Sequence, residues 1–276
     1  MSFQQVNERG LVLLGCGKMG SAMLEGWLKN GVDPRAVSIL DPNPSDWVHG
    51  LTAKGVTLNG ELPGAPRICV IAVKPQMMGD ALPRLQQLAG PATLFLSVAA
   101  GTSIATFEAI FGAETPIVRA MPNTPAAIGK GITALIGNAQ VDEAGLSLAE
   151  DLLAAIGQTE RLETEAQIDA VTGVSGSGPA YVFHMIEALA AAGVAEGLPA
   201  DLAMRLAIAT VDGAGALAAE AAEDVSQLRV NVTSPAGTTA AALEVLMDAE
   251  TGFAPLLRRA VHAAAERGRE LGRADG

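Results

Sequence analysis

Three glycines at a fixed spacing are the residues of this chain with the clearest chemical meaning. Gly15, Gly17 and Gly20 follow the apolar run 11–14 and precede an amphipathic segment that contains Trp27. In a strand–turn–helix unit, this spacing lets the backbone turn tightly, approach a pyrophosphate and pack the helix against the strand. The helix N-terminus then offers N–H groups and a favourable dipole to the phosphates. The pattern predicts a dinucleotide site, with a purely structural turn as the alternative.

An acidic residue follows at a distance that suits the same ligand. Asp41 ends a predicted strand at 36–41. A carboxylate roughly 20 residues beyond the glycines commonly hydrogen-bonds the adenosine ribose of NAD. The next residues, Pro42-Asn43-Pro44, supply no arginine for the 2′-phosphate of NADP, so the local chemistry favours NAD. A turn-forming Asp-Pro-Asn-Pro segment is the alternative.

Two later loops carry hydroxyls and glycines where helices are predicted to begin. They span residues 173–181 and 228–239 and contain Ser-Gly-Ser-Gly-Pro and Thr-Ser-Pro-Ala-Gly-Thr-Thr. Hydroxyl groups and free N–H groups at a helix N-terminus can hold a carboxylate. Ordinary capping and turn formation would use the same residue types. The sequence therefore leaves a second ligand site and simple capping both open.

The elements that must position these residues alternate between strand and helix in the first part of the chain. The alternation predicts right-handed crossovers and a parallel sheet, whose strand ends bind ligands at one edge. Helices are expected at 81–89 and 142–156, and one after Thr102 or Ser103 that includes Phe107 and Ile110. Strands are expected at 11–14, 36–41, 56–58, 67–73, 94–98, 117–119, 132–136 and 158–162. The candidate residues fall at the ends of five strands, at 15–20, 41, 74–75, 99–100 and 121–123.

The remainder of the chain has helical periodicity throughout, which places a domain boundary near Glu163. The helices are predicted at 165–173, 179–196, 200–222, 224–230, 238–247 and 253–271. The alanine-rich stretches 186–195 and 202–219 are unusually small and apolar for a surface. They pack either within one chain or against a second subunit, and the interface is the favoured interpretation.

The amino-acid composition and net charge argue against several classes of protein. The 276 residues are 49% apolar and 17% charged, which predicts a packed globular chain. A net charge of −12 argues against nucleic acid or an anionic membrane as the main partner. No uninterrupted apolar run reaches the roughly 18–20 residues of a membrane span, and the N-terminus does not resemble a signal peptide. Together these features predict a soluble, cytoplasmic protein.

Cysteine and histidine usage favours neither disulfides nor metal. Cys16 and Cys69 are the two cysteines, and free thiols in a reducing compartment are expected. His49, His184 and His262 lie outside the motifs and have no metal-ligand grouping, so no metal site is predicted.

Five motifs give the chain a family resemblance. They are Gly-Cys-Gly-Lys-Met-Gly at 15–20, Ala-Val-Lys-Pro-Gln at 72–76, Arg-Ala-Met-Pro-Asn-Thr-Pro at 119–125, Ser-Gly-Ser-Gly-Pro-Ala-Tyr at 175–181 and Thr-Ser-Pro-Ala-Gly-Thr-Thr at 233–239. In this order and over essentially the whole chain, they resemble pyrroline-5-carboxylate reductase. The last two are far more specific than the glycine motif.

The resemblance implies a fold, a reaction and an assembly. The fold is an α/β Rossmann domain with a parallel sheet at 1–163, followed by an all-α, substrate-binding dimerisation domain at 164–276. The reaction is NAD(P)H-dependent reduction of Δ1-pyrroline-5-carboxylate to L-proline, the last step of proline biosynthesis. The assembly is a homodimer, with a larger oligomer such as a decamer left open.

The resemblance also implies site residues. Thr239 is expected to be catalytic, because its hydroxyl would hydrogen-bond the ring nitrogen and assist protonation. The substrate site is expected to comprise Ser175, Val232, Ser234, Gly237, Thr238 and Thr239. The cofactor site is expected to comprise Gly15, Cys16, Gly17, Lys18, Met19, Gly20, Asp41, Asn43, Asn59, Ala72, Val73, Lys74, Pro75, Met121, Pro122 and Asn123. For Arg119, a structural role is favoured over contact with the substrate carboxylate.

Two departures from the family pattern leave questions open. The family commonly has two glycines where this chain has Ala236-Gly237. Many members prefer NADPH, whereas Asp41 would repel a 2′-phosphate, so the choice between NADP and NAD is open.

A related imine or β-hydroxyacid dehydrogenase is an alternative enzyme, but its helical catalytic lysine has no counterpart here. A non-catalytic NAD(P)-sensing module would explain the glycines but not the loop at 233–239.

Overall fold

Short apolar runs form the centre of one mixed sheet. The computed structural model describes residues 3–274, apart from the side chains of Pro75, Arg273 and Ala274. Within these residues the strand order is β3-β2-β1-β4-β5-β6-β7-β8. The strands are β1 (Leu11–Leu14), β2 (Val37–Leu40), β3 (Thr57–Leu58), β4 (Ile68–Ile71), β5 (Leu94–Ser97), β6 (Ile117–Met121), β7 (Gly131–Gly137) and β8 (Gly157–Arg161).

The central strands are buried on both faces, which is why they read as continuous apolar runs. Leu11 and Leu13 of β1 face one apolar cluster, while Val12 and Leu14 face the other. Helices cover both faces, and the one at 18–29 carries Trp27, whose indole N–H donates to Leu152 O at 2.8 Å. These helices are α1 (Gln4–Arg9), α2 (Lys18–Lys29), α3 (Asp46–Leu51), α4 (Met78–Ala81), α5 (Ile104–Phe111) and α6 (Glu143–Leu153).

The sheet is mainly parallel, as the sequence predicts, and one strand runs in the opposite direction. β7 runs antiparallel to β6, with Arg119 opposite Ile136. Residues 122–130 connect the two strands, whereas a parallel connection needs a crossover of about a dozen residues or more. β8 follows α6 and is parallel to β7 again. The antiparallel step leaves β1 to β6 with their carboxyl ends at one edge of the sheet.

Two helix predictions have different outcomes. The helix after β5 is capped by Ser103, whose Oγ accepts the N–H of Thr106 at 3.1 Å, as the sequence predicted for Thr102 or Ser103. The helix expected at 81–89 is present as a 3-10 helix at 82–88, since α4 ends at Ala81. Pro83 lacks an N–H group and restricts the residue before it, which disfavours a continuous α-helix there.

The chain divides into two compact units. We call residues 3–176 and 264–274 the sheet unit, and residues 177–263 the helical unit. The sheet unit also holds α7 (Gln167–Val171). The helical unit holds α8 (Gly178–Ala195), α9 (Ala200–Glu220), α10 (Val225–Asn231), α11 (Thr238–Leu246) and the first part of α12 (Phe253–Ala274). These bounds agree with the helices predicted from the sequence to within a few residues.

Small residues bring α8 and α9 close together in the helical unit. Ala190, Ala203 and Ala207 form its buried apolar cluster, with Ile186 packed against them. A Cβ placed on Gly193 would lie 3.3 Å from the Cβ of Ala203, so the two helices approach closely at this glycine.

Two helical segments correct the sequence expectation about membrane spans. Gln167–Ala195 and Ala200–Glu220 are long and apolar enough to cross a membrane by length and composition alone, although the expectation counted only uninterrupted apolar runs. Only 6% and 11% of their most apolar windows are buried within the chain. Their apolar surface therefore needs some cover outside a single copy of the chain.

Candidate active site

The glycine turn connects β1 to α2 in the way its spacing predicted. Gly15 has a φ of 87°, and its N–H donates to Leu40 O at 2.8 Å. A Cβ on Gly15 would lie 2.8 Å from Ala72 O, and one on Gly20 would overlap Gly15 O. A Cβ on Gly17 would meet no atom within 4 Å. The fold thus requires the first and third glycines, while the open space at Gly17 lets a ligand approach the backbone.

Asp41 joins the ends of three neighbouring strands. Its side chain is buried, and Oδ2 accepts the N–H of Cys16 at 2.7 Å while Oδ1 accepts the N–H of Asn43 at 2.8 Å. Asn59, with a φ of 51°, pairs with the main chain of Asp41 in both directions, at 2.9 Å and 2.7 Å. The turn after β1, the end of β2 and the end of β3 are therefore fixed together, and this linkage was not foreseen from the sequence.

Both cysteines are free thiols in the structure, as expected. Burial raises the pKa of the Cys16 thiol, a hydrogen bond with Ser21 opposes this, and the nearby Asp41 charge adds a further increase. Burial alone raises the pKa of Cys69 well above its usual range. Neither thiol is therefore an activated nucleophile at neutral pH.

The segment after β4 lies next to the glycine turn. Ala72 donates its N–H to Leu14 O at 2.8 Å, and Val73 lies beside Gly15. Lys74 is exposed, and its carbonyl accepts the N–H of Met77 in the turn that follows. The side chain of Pro75 lies outside the described part of the chain. This segment places the exposed cation Lys74 at the carboxyl edge of the sheet.

The segment after β6 forms the other wall of this edge. Met121 is half-buried at the end of the strand and is followed by the buried Pro122. The Oδ1 of Asn123 accepts the N–H of Ile132 at 3.0 Å, which fixes the Asn123 side chain to the start of β7. Residues 121–123 are therefore held firmly at the end of β6 by the antiparallel strand beside it.

An ion pair between a buried arginine and a half-buried glutamate lies beside this segment. Arg119 donates from Nη1 to Oε1 of Glu165 at 2.6 Å, with the two side chains 9% and 31% exposed. The same Glu165 oxygen accepts the N–H of Ile104 at the start of α5 at 2.8 Å. Among the described residues, the buried Nε of Arg119 has no hydrogen-bond partner. The pair agrees with the structural role favoured for Arg119, while Glu165 lies 46 positions away and no sequence signal linked the two.

Residues 172–176 form a π-helical turn rather than the loop that the sequence suggested. Hydroxyls of Thr172 and Ser175 donate to the carbonyls of Ile168 and Val171, at 2.8 Å and 3.1 Å, and so stabilise the widened turn. A Cβ on Gly176 would lie 2.8 Å from the terminal methyl of Met121. Ser175, a predicted substrate residue, is thus held near the end of β6.

The second candidate loop joins α10 to α11 in the helical unit. Thr233 donates from Oγ1 to Arg229 O at 2.6 Å, and Gly237 donates its N–H to Ser234 O at 3.0 Å. Gly237 is the N-cap residue of α11 and makes no side-chain cap. Val232, Ser234 and Thr238 are exposed, and Thr239 is half-buried. The loop therefore presents hydroxyls beside the uncapped N–H groups at the start of a nine-residue helix.

The structure places the candidate residues in two groups, one in each unit. The glycine turn, Asp41, Asn43 and Asn59 meet with the segments after β4 and β6 at one edge of the sheet, as the strand ends predicted. Ser175 lies in the same unit. The other predicted substrate residues, 232–239, form a contiguous loop in the helical unit. The binding roles assigned to all these residues remain predictions.

Comparisons with known proteins agree with this geometry. A family model described as pyrroline-5-carboxylate reductase dimerisation matches residues 165–271, and one described as NADP oxidoreductase, coenzyme F420-dependent, matches residues 11–101. The pyrroline-5-carboxylate reductase of Pseudomonas aeruginosa is 38% identical over 264 residues, which cover 95% of this chain and 96% of the relative. This chain belongs to the pyrroline-5-carboxylate reductase family. The Pisum sativum reductase is 38% identical over 265 residues, 95% of each chain.

Solved structures of the family show the same fold. A pyrroline-5-carboxylate reductase from Coxiella burnetii superposes with a TM-score of 0.87 at 33% identity, covering 96% of this chain and 99% of its own. The Plasmodium falciparum pyrroline carboxylate reductase, solved with NADP bound, gives 0.80 at 29% identity over 96% and 99% of the two chains. The Rossmann-type sheet and the all-helical C-terminal part are confirmed. Because the compact units divide after residue 176 whereas the dimerisation match begins at 165, the functional boundary at 163 remains a prediction.

Proposed function

We propose that this protein reduces Δ1-pyrroline-5-carboxylate to L-proline with a hydride from NADH or NADPH, the last step of proline biosynthesis. The observation that carries the proposal is the relationship to reductases of this name over 95% of the chain. The two most specific motifs fall within this relationship, and the one at 233–239 lies wholly in the helical unit. A nucleotide-sensing module would need only the first unit, and so explains less.

The loop between α10 and α11 supplies the groups that a small cyclic amino acid needs. Uncapped N–H groups at the start of α11, with the Ser234 and Thr238 hydroxyls, would hold the substrate carboxylate. The Thr239 hydroxyl would hydrogen-bond the ring nitrogen and keep it protonated. A protonated C=N carbon is already electrophilic, so the protein has to orient the ring rather than supply a strong base.

The sheet unit supplies a matching nucleotide site. The space at Gly17 and the N-terminus of α2 fit a pyrophosphate, and the segment 121–123 would flank the nicotinamide. When bound, the reduced cofactor supplies the hydride that adds to the C=N carbon. The Arg119–Glu165 pair would support this arrangement, since it fixes the end of β6 to the start of α5 and to the segment that enters α7.

The assembly follows from the same relationship. We infer that residues 165–271 form a homodimer, because this segment matches a dimerisation family and leaves large apolar side chains exposed in a single copy. A decamer built from such dimers is a further possibility for the quaternary structure. The small-molecule substrate and the acidic surface favour a cytoplasmic enzyme without nucleic-acid or membrane partners.

Steady-state kinetics tests the proposal and the role of Thr239 together. Purified protein should oxidise NADH or NADPH only when pyrroline-5-carboxylate is added. Thr239→Ala should lower kcat/KM by on the order of 100-fold, the usual range for loss of a positioned acid or donor. Thr239→Ser, which keeps the hydroxyl, should stay within about tenfold of wild type.

Cofactor affinity separates the possible outcomes. The dissociation constant of NADH should change little in either Thr239 variant, because that residue belongs to the substrate loop. A large loss of cofactor affinity would mean that the loop is assigned to the wrong ligand. Failure of the wild-type protein to oxidise either nucleotide with this substrate, at any pH, would overturn the proposed reaction.

A further inference from the structure

The carboxylate of Asp41 is held in one position by the backbone around it. Each oxygen accepts one backbone N–H, from Cys16 at 2.7 Å and from Asn43 at 2.8 Å. A carboxylate has about four acceptor positions, so each oxygen can still accept a hydroxyl. The paired amide of Asn59 fixes the main chain of Asp41 as well. The side chain therefore cannot turn away from a ligand without breaking several hydrogen bonds.

The segment of the sequence around Asp41 contains no lysine or arginine that could neutralise a phosphate. Residues 37–53 contain neither lysine nor arginine. Arg35 precedes β2, whose four residues span roughly 13 Å, and is paired with Asp33 at 2.7 Å. A Cβ on Gly55 would touch the Arg35 side chain, so its neighbour Lys54 also belongs near the amino end of β2. Lys18 begins α2, where it would serve the pyrophosphate that NADH and NADPH share.

Near the end of β2, Asp46 carries a further negative charge and the other polar side chains are neutral. Asn43 and Asn59 are amides, and the hydroxyl of Ser45 already accepts the N–H of Val48 at the start of α3. These groups can hydrogen-bond a ribose but cannot neutralise a phosphate dianion. The negative charge of Asp41 acts on its neighbours, since it helps to raise the pKa of the nearby Cys16 thiol.

We propose that Asp41 is the residue that determines cofactor specificity in this enzyme, and that its fixed carboxylate makes the protein prefer NADH to NADPH. The carboxylate accepts a ribose hydroxyl of NADH and repels the 2′-phosphate of NADPH. This inference rests on the proposed nucleotide site. It sets the chain apart from the relative that was solved with NADP bound.

Direct binding of the two nucleotides to wild-type protein is the first test. Isothermal titration calorimetry without substrate should give a Kd for NADPH at least about tenfold weaker than for NADH, a difference of about 1.4 kcal/mol. The difference should shrink as the salt concentration rises, because salt screens a repulsion between charges. Equal or tighter binding of NADPH by the wild-type protein would overturn the proposal.

Two matched variants separate charge from structure. Asp41→Asn removes the charge and keeps one acceptor oxygen, so the NADPH-to-NADH ratio of Kd should fall about tenfold. Asn59→Gly tolerates the positive φ and removes the amide pair while leaving the charge in place. It should weaken both nucleotides alike and leave the ratio, and its salt dependence, unchanged.

The outcomes keep this proposal distinct from the proposed reaction. A ratio that is unchanged in Asp41→Asn would show that the carboxylate only supports the glycine turn and would overturn the inference. Preferred binding of NADH without turnover of pyrroline-5-carboxylate would support the specificity role and contradict the reaction. Turnover of pyrroline-5-carboxylate with NADPH preferred over NADH would support the reaction and contradict the specificity role.

Discussion

The sheet unit buries most of its large apolar side chains, whereas the helical unit leaves many of its own exposed. In the sheet unit, β1, β2, β4 and β5 are buried along their whole length. In the helical unit, the buried apolar cluster consists of Ala190, Ala203 and Ala207. Large side chains such as Phe183 and Val245 are 60% and 71% exposed there. One unit completes its core within the chain, whereas the other leaves its largest apolar groups uncovered.

The difference indicates where each unit obtains its stability. Burial of apolar area contributes about 25 cal/mol per Å², so a unit whose buried cluster consists of alanines gains little from its own packing. The dimerisation family matches 165–271, the part of the chain in which the exposed apolar side chains concentrate. We therefore expect the sheet unit to tolerate surface changes, and the helical unit to depend on a second copy.

The largest expected effect is the loss of the dimer when a charge is placed on α9. Ile208 is 50% exposed in a single copy, and Ile208→Glu would bury an unpaired carboxylate in the interface. Such a charge costs on the order of 3 kcal/mol or more, so the dimer Kd should rise at least about 100-fold. Sedimentation velocity over a range of concentrations measures this change.

A polar position on the same helix provides the control. Arg205 makes only an exposed pair with Asp201 among its described ion pairs, at 2.8 Å. Arg205→Glu introduces the same side chain one turn away and should leave the dimer nearly unchanged. If Ile208→Glu sediments like wild type, the exposed apolar face of α9 is not the interface.

An effect of intermediate size is expected when an ion pair is broken, and the loss of stability should be larger in the sheet unit than in the helical unit. Glu165→Gln leaves Arg119 charged and buried without its partner, which should destabilise the sheet unit by about 3 kcal/mol. Both tryptophans, Trp27 and Trp47, lie in that unit, so their fluorescence during urea unfolding reports on it.

The exposed pair on α9 is the comparison for this variant. Asp201→Asn breaks an i,i+4 contact whose partners are well exposed, so it should lower the free energy of unfolding far less than Glu165→Gln does. Equal costs for Glu165→Gln and Asp201→Asn would contradict the view that the Arg119–Glu165 pair holds the end of β6.

Local patterns predicted most of the fold, because periodicity and glycine spacing report on neighbours in the chain. The strand ends at Gly15, Asp41 and Met121 fell at one edge because parallel strands share that edge. Contacts between distant segments were not predictable in this way. Glu165 meets Arg119 through tertiary packing. The hydrogen bonds that Cys16 and Asn59 make with Asp41 depend on the register of three strands.

The direction of β7 and the helix type at 172–176 could not be predicted from the sequence either. The antiparallel step at β7 depends on the length of a connection, and the π-turn at 172–176 depends on hydroxyls that bond back to the helix. The family motifs predicted a substrate-binding role for the loop at 233–239, and the conformation of that loop came only from the structure. In particular, nothing local showed that Ala236 adopts a φ of 56°.

The smallest expected effect concerns this alanine. A positive φ costs an alanine roughly 1 kcal/mol, whereas glycine adopts it freely but loses more conformational entropy on folding. Ala236→Gly should therefore change the free energy of unfolding by between zero and about 1 kcal/mol in the stabilising direction. The matched Ala209→Gly, at an exposed position inside α9, should destabilise by about 1 kcal/mol.

Chemical denaturation followed by far-ultraviolet circular dichroism at one fixed protein concentration compares the two glycine variants, since their helices belong to the unit without tryptophan. Opposite signs are the key result, because the same substitution then reports different backbone conformations in one unit. Equal destabilisation would mean that the loop before α11 relaxes to a negative φ in solution. In that case Ala236 would not hold the backbone that presents Thr238 and Thr239, and the substrate loop would form only when its ligand binds.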